Sequence, residues 1–182
     1  MSDVLDQITP DESTDAPKPA ETAHWRREDR GGRITLWLDC EGTGTNVISE
    51  AVLRELDTLL DEAKQAQPDV LVIRSAKPAG FAAGADIDSF NDMRDQGAAA
   101  LLQQGHAVLD RLEALDCPTI AIVHGAALGA GFEIALACDH RIAIDGAKFG
   151  FPEVNLGLHP GLGGSFRLTR LIDPTEAMTL ML

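Results

Sequence analysis

Residues 47–65, VISEAVLRELDTLLDEAKQ, place Val47, Leu53, Leu56, Leu59 and Leu60 at intervals near 3.6, and DVLVIRS follows at once at 69–75. An amphipathic helix that runs straight into a continuous apolar strand is the signature of a crossover unit, because a strand covered on both faces has no reason to alternate. The pattern recurs. A second helical stretch over about 96–115 leads into PTIAIVHG at 118–125, and HRIAI at 140–144 reads as another strand. Upstream, HWRREDRGGRITLWLD predicts two short strands joined at Gly31-Gly32, with Ile34, Leu36 and Leu38 on one face. Strands alternating with helices specify an α/β fold with helix-connected parallel strands.

The 182 residues suit one domain, and 45% hydrophobic residues supply a core. Residues 1–23 differ: six acids, one lysine, three prolines and no aromatic residue predict a disordered acidic tail before a core domain over 24–182. With 15 basic against 29 acidic residues, net charge −14, the chain is a poor partner for nucleic acid. No apolar run reaches the roughly 18 residues of a membrane span, and the acidic N-terminus lacks the layout of a signal peptide. Cys40, Cys117 and Cys138 are few, odd in number and without metal-type spacing, so they read as packing residues in a reducing cytoplasm. The five histidines show no paired metal spacing, so no metal is expected. At the other end, Asp173 as N-cap and Pro174 at the first helical position open a helix that stays apolar to Leu182, as if the chain stopped inside it.

The chemistry concentrates in three stretches. In GAALGAGFEIALACD, a small-residue turn at Gly129-Ala130-Gly131 leads into a helix with Glu133 in its first turn, surrounded by apolar residues. Complementing the helix dipole is one reason for an acid there. A catalytic carboxylate is the other. Glu153, after Pro152 in FGFPEVNLGLHPGLGG, also opens a helical turn, and the intervening strand can bring it back to the same end of a sheet. Two carboxylates in one apolar site push their pKa values apart, as general acid–base work requires. The third stretch, AKPAGFAAGADIDSF, has a run of Ala and Gly from Ala82 to Ala85 that lets backbone approach a ligand with free N–H groups, and Asp86 could cap the next helix. GLGGSF at 161–166 lacks the strand and third glycine of a dinucleotide turn, and Arg167 and Arg170 in RLTRLI read as a solvated helix face. Trp25 and Trp37 read as sheet-packing residues.

FAAGADIDSF, HGAALGAGFEIALACDHRIA and KFGFPEVNLGLHPGLGGSFRLTRLI, in that order, resemble the enoyl-CoA hydratase/isomerase (crotonase) superfamily, and IRSAKPAGFAAGADI looks like the N-terminal hydratase module of multifunctional fatty-acid oxidation α-subunits. The resemblance implies a spiral of ββα units, here truncated before the C-terminal helical region. It implies an acyl-CoA substrate whose thioester oxygen sits between the backbone N–H groups of Ala85 and Ala130. Glu133 and Glu153 match the catalytic carboxylates, and Ala83, Gly84, Asp86, Ile87, Gly129 and Pro152 match substrate-contacting positions. No cofactor is implied within the chain, since coenzyme A belongs to the substrate. A homotrimer is implied for the complete domain, with a dehydrogenase domain or thiolase subunit as partner. The implied activity is hydration of trans-2-enoyl-CoA in fatty-acid β-oxidation; a 3,2-enoyl-CoA isomerase, or an inactive truncated binding module, remain as alternatives. Ala130 stands where many relatives have glycine, Asp88 where many have lysine, and Phe132 is expected to shape the acyl pocket.

Overall fold

The computed structural model describes residues 23–86 and 95–182. The acidic tail expected over 1–23 therefore falls almost entirely outside the described residues, as do Ile87 and Asp88. Strands β1 (Trp25–Arg30) and β2 (Arg33–Leu38) form the expected hairpin, antiparallel with Arg30 opposite Arg33. Ile34, Leu36 and Leu38 are all buried on one face, as their alternation requires. Helix α1 (Glu50–Ala66) then crosses to β3 (Val70–Ser75), which lies parallel to β2. Ser49 caps α1 by accepting the Val52 N–H, so the helix starts later than its periodicity suggested and Val47 stays outside it.

Helix α2 (Asp95–Glu113) leads into β5 (Thr119–Val123), and β7 (His140–Ala143) completes a five-stranded sheet of order β1-β2-β3-β5-β7. Helices α1 and α2 pack side by side, tied by Arg111 to Asp57 and Asp61. The core between helices and sheet contains Leu36, Leu56, Leu71, Ile73, Leu109 and Leu112, none with measurable exposure.

Three strands escape the sequence pattern: β4 (Gly80–Ala82), β6 (Ala126–Leu128) and β8 (Lys148–Gly150) form a second, parallel sheet of order β4-β6-β8. They are three residues long and rich in Gly and Ala, so neither alternation nor β-branching marks them. This small sheet positions the site. Helix α3 (Ala130–Ala137) leaves the end of β6 with all eight residues buried, the condition under which a helix is apolar all round. A 3-10 helix (Pro152–Leu156) leaves the end of β8, followed by α4 (Gly164–Leu168) and α5 (Pro174–Met181), the last capped by Asp173 accepting the Thr175 N–H.

Asn46, with 0% exposure, joins these parts. Its Oδ1 accepts the Cys40 N–H at 2.9 Å, and its Nδ2 reaches Leu38 O, Ser75 Oγ and Phe81 O at 3.1, 2.8 and 2.9 Å. Its own carbonyl accepts the Ala83 N–H, so the ends of β2, β3 and β4 share one side chain. Trp25 is buried and donates its indole N–H to Val52 O; Trp37 is sandwiched by the guanidinium groups of Arg26 and Arg74. Cys40 and Cys138 are buried free thiols and Cys117 is partly buried. Among the described residues, no helix is long and apolar enough to cross a membrane.

Candidate active site

Gly129 turns the chain from β6 into α3 with φ 50° and ψ −127°, a backbone conformation that favours glycine. A side chain there meets a second obstacle: a Cβ on Gly129 falls 2.8 Å from Glu153 Oε1. The Glu153 carboxyl therefore lies over this turn. The same Cβ position is 3.5 Å from Gly84 Cα, and one on Gly84 is 3.7 Å from Leu128 O, so the turn at Gly84-Ala85 rests against the turn at Gly129-Ala130.

Both turns present main-chain donors. Ala85 forms a parallel bridge to Ile48 in which Ile48 donates to Gly84 O at 2.8 Å and Asp86 donates to Ile48 O at 3.0 Å; that pattern directs the Ala85 N–H away from Ile48. Ala130 is the first residue of α3, where a helix leaves its N–H unsatisfied. Among the described residues neither N–H has an acceptor.

Glu133, one turn into α3, is 1% exposed. Its Oε1 accepts two backbone N–H bonds, from Leu162 and Gly164, each at 2.7 Å. Gly164 must be glycine to come so close, since a Cβ there is 2.5 Å from the Phe151 ring and 2.9 Å from Glu133 Cγ. Burial pushes the Glu133 carboxyl up to about 7; the two N–H bonds and the Arg167 charge pull it down, and the neighbouring Glu153 charge pushes it further up. Glu153 is raised as well, chiefly by burial, with His159 opposing. Its Oε2 is buried and lacks a hydrogen-bond partner among the described residues.

Both acids border one cavity of about 300 Å³. Ala83, Gly84, Ala85, Gly129, Ala130 and Pro152 line it too, so eight of the ten expected site residues converge: these six with Glu133 and Glu153. Asp86 follows Ala85 in the bridge segment, and Ile87 lies outside the described residues. The remaining wall is mostly apolar, from Ile48 and Leu53 at α1, Leu101 and Leu102 of α2, and Leu156, Leu158 and Leu162 of the segment before α4, with Ser49, Glu50 and His159 adding polar groups.

Two expectations are corrected. Phe132 does not line the cavity; its ring packs instead 5.1 Å from Phe149 and 5.0 Å from Phe151, in a cluster of aromatic side chains. Arg167 is no solvated residue but is 8% exposed, while Arg170 is exposed and lies over the Phe166 ring. Sequence reasoning also passed over Leu162 and Gly164, whose only signal was the glycine pair before a short helix.

The family model for enoyl-CoA hydratase/isomerase matches residues 41–182. Among curated relatives, the fatty acid oxidation complex subunit alpha of Shewanella sp. (strain ANA-3) is 44% identical over 161 residues, which make up 86% of this chain and 22% of that protein. An enoyl-CoA hydratase from Bacillus anthracis superposes with a TM-score of 0.81 at 32% identity, over 87% of this chain and 62% of that one. One from Thermoplasma volcanium GSS1 gives 0.81 at 28% identity, over 87% of this chain and 63% of its own. The chain thus spans less than two thirds of the length of these relatives. Since the matched stretch contains both acids and both donor turns, and the folds superpose across it, the chain belongs to the enoyl-CoA hydratase/isomerase family.

Proposed function

We propose that this cavity adds water across the C2–C3 double bond of trans-2-enoyl-CoA thioesters. The observation that carries the reading is two raised carboxyls, Glu133 and Glu153, on a cavity also lined by Ala85 and Ala130, whose N–H groups have no acceptor among the described residues. Nucleophilic attack at C3 sends charge to the thioester oxygen, where two fixed N–H donors in a water-poor site are each worth about 2.7–4 kcal/mol. One carboxylate takes a proton from water as its oxygen bonds to C3; the other acid gives a proton to C2. The pair ends with the proton count it began with. Carboxyls raised above their ordinary range suit both roles, and each contributes roughly a hundred- to ten-thousand-fold. The addition balances without oxidant or reductant, and coenzyme A enters only as part of the substrate.

The relative named as a fatty acid oxidation complex subunit supports placing this step in β-oxidation, beside a dehydrogenase domain or thiolase subunit. The exposed apolar residues Ile142, Ile144, Leu171 and Met178 support self-assembly, which we read as a trimer.

The test is water addition to crotonyl-CoA, followed by loss of its conjugated absorbance, alongside double-bond migration in a 3-enoyl-CoA. Hydration should dominate, and Glu133→Gln and Glu153→Gln should each lower kcat at least about 100-fold. Migration without hydration would replace this reading with the isomerase; neither activity would leave a binding module.

A further inference from the structure

Arg167 connects the candidate site to the outer helix α2. Its Nε and Nη2 grip both oxygens of Glu113 at 2.9 and 3.0 Å, and Nη2 also reaches Asp110 Oδ1 at 3.2 Å. The remaining nitrogen, Nη1, donates to Leu162 O at 2.5 Å. Leu162 is the residue whose own N–H holds Glu133 Oε1. Between it and Gly164, the second donor, sits Gly163 at φ 89°, where a Cβ would be 2.5 Å from Arg167 Nη1. The guanidinium thus lies directly on the backbone that anchors the acid. An ion pair of this burial adds little net stability compared with apolar packing, whereas a planar fork with fixed donor directions sets geometry well.

We propose that Arg167, braced by Glu113, is a positioning residue for Glu133: it fixes the Leu162–Gly164 peptides, which hold one carboxylate oxygen and leave the other directed to the proton transfer. The proposal rests on the hydratase reading. The charged and titratable groups facing this assembly are Glu153 toward Glu133, and His106, Asp110 and Glu113 of α2 toward Arg167 and Gly163.

The experiment compares Arg167→Gln, Arg167→Lys and Glu113→Gln with the parent chain in crotonyl-CoA hydration across pH, with circular dichroism confirming the fold. Arg167→Gln should lower kcat by about 10- to 100-fold, the scale of an acid displaced by an ångström, with KM within about threefold. The pH limb belonging to Glu133 should move upward, since losing a positive charge and loosening two N–H bonds both favour the protonated acid. Arg167→Lys keeps the charge without the fork, so its limb should move less while kcat stays low; Glu113→Gln should lower kcat in the same direction. A folded Arg167→Gln variant with parental kcat and an unmoved limb overturns the proposal, and if that variant does not fold, parental kcat in the other two does so. Carbon-13 titration of the Glu133 carboxyl in the parent and Arg167→Gln needs no turnover. Absence of hydration in the parent chain rejects the functional reading, while an unmoved carboxyl titration rejects the positioning role.

Discussion

Glu133 carries a thermodynamic cost that its own substitution should reveal. A carboxyl whose folded-state pKa is raised from 4.5 to about 7 binds its proton more tightly in the native chain than in the unfolded one. Its contribution to stability is therefore full below pH 4.5 and is lost as pH rises through 7. Glutamine keeps an oxygen for the Leu162 and Gly164 N–H groups and never ionises. We expect Glu133→Gln to be more stable than the parent at pH 8, by at most ~3 kcal/mol, with the difference vanishing near pH 4.5, as urea denaturation at the two pH values would register. An equal difference at both would show that ionisation is not responsible. That an acid sat among apolar neighbours in the first turn of a helix was plain from the sequence, and the helix dipole was an adequate reason for it. Its two N–H donors were not legible, because they come from 29 and 31 positions away. Arg167 was misread for a related reason: periodicity on a five-residue helix cannot separate a solvated face from one roofed by α2.

At the level of elements, Asn46 sets how the second sheet meets the first. It accepts from the strand end at Cys40 and reaches carbonyls at Leu38 and Phe81, groups that burial leaves without water. Asn46→Ala strands all of them and should destabilise the chain by about 3 kcal/mol or more, against about 1 kcal/mol for removing the Ser49 cap of α1. Chemical denaturation of both variants tests the ranking, and a cost for Asn46→Ala no greater than for Ser49→Ala would deny it this joining role. The five-stranded sheet and its two crossover helices could be read from periodicity because their faces are long enough to show it. The β4-β6-β8 sheet could not, since its Gly and Ala residues are chosen for close approach of backbones rather than for propensity.

Across the whole molecule, the cavity is assembled from segments near residues 48–53, 83–85, 101–102, 129–133 and 152–162. A ligand filling it bridges parts of the chain that separate on unfolding, so it stabilises by mass action. At a hundred times its dissociation constant, 3-hydroxybutyryl-CoA should add about 2.7 kcal/mol and raise Tm by roughly 5–10 °C, in Glu133→Gln as well as in the parent. Thermal unfolding with and without the ligand measures this, and an unmoved Tm would remove the thioester from the cavity. Sequence order alone supplied the segments, because motif spacing is local; their convergence depends on a sheet of three-residue strands that no pattern announced. The donors at Ala85 and Ala130 belong to the peptide chain itself, so exchanging one amino acid for another leaves them in place, proline excepted. The acids, by contrast, are each a single codon deep. On the proposed hydratase reading, a lineage built on this cavity can therefore lose or relocate the two acids and still hold a carbonyl between main-chain donors, an inherited capacity for activation on which new reactions can arise.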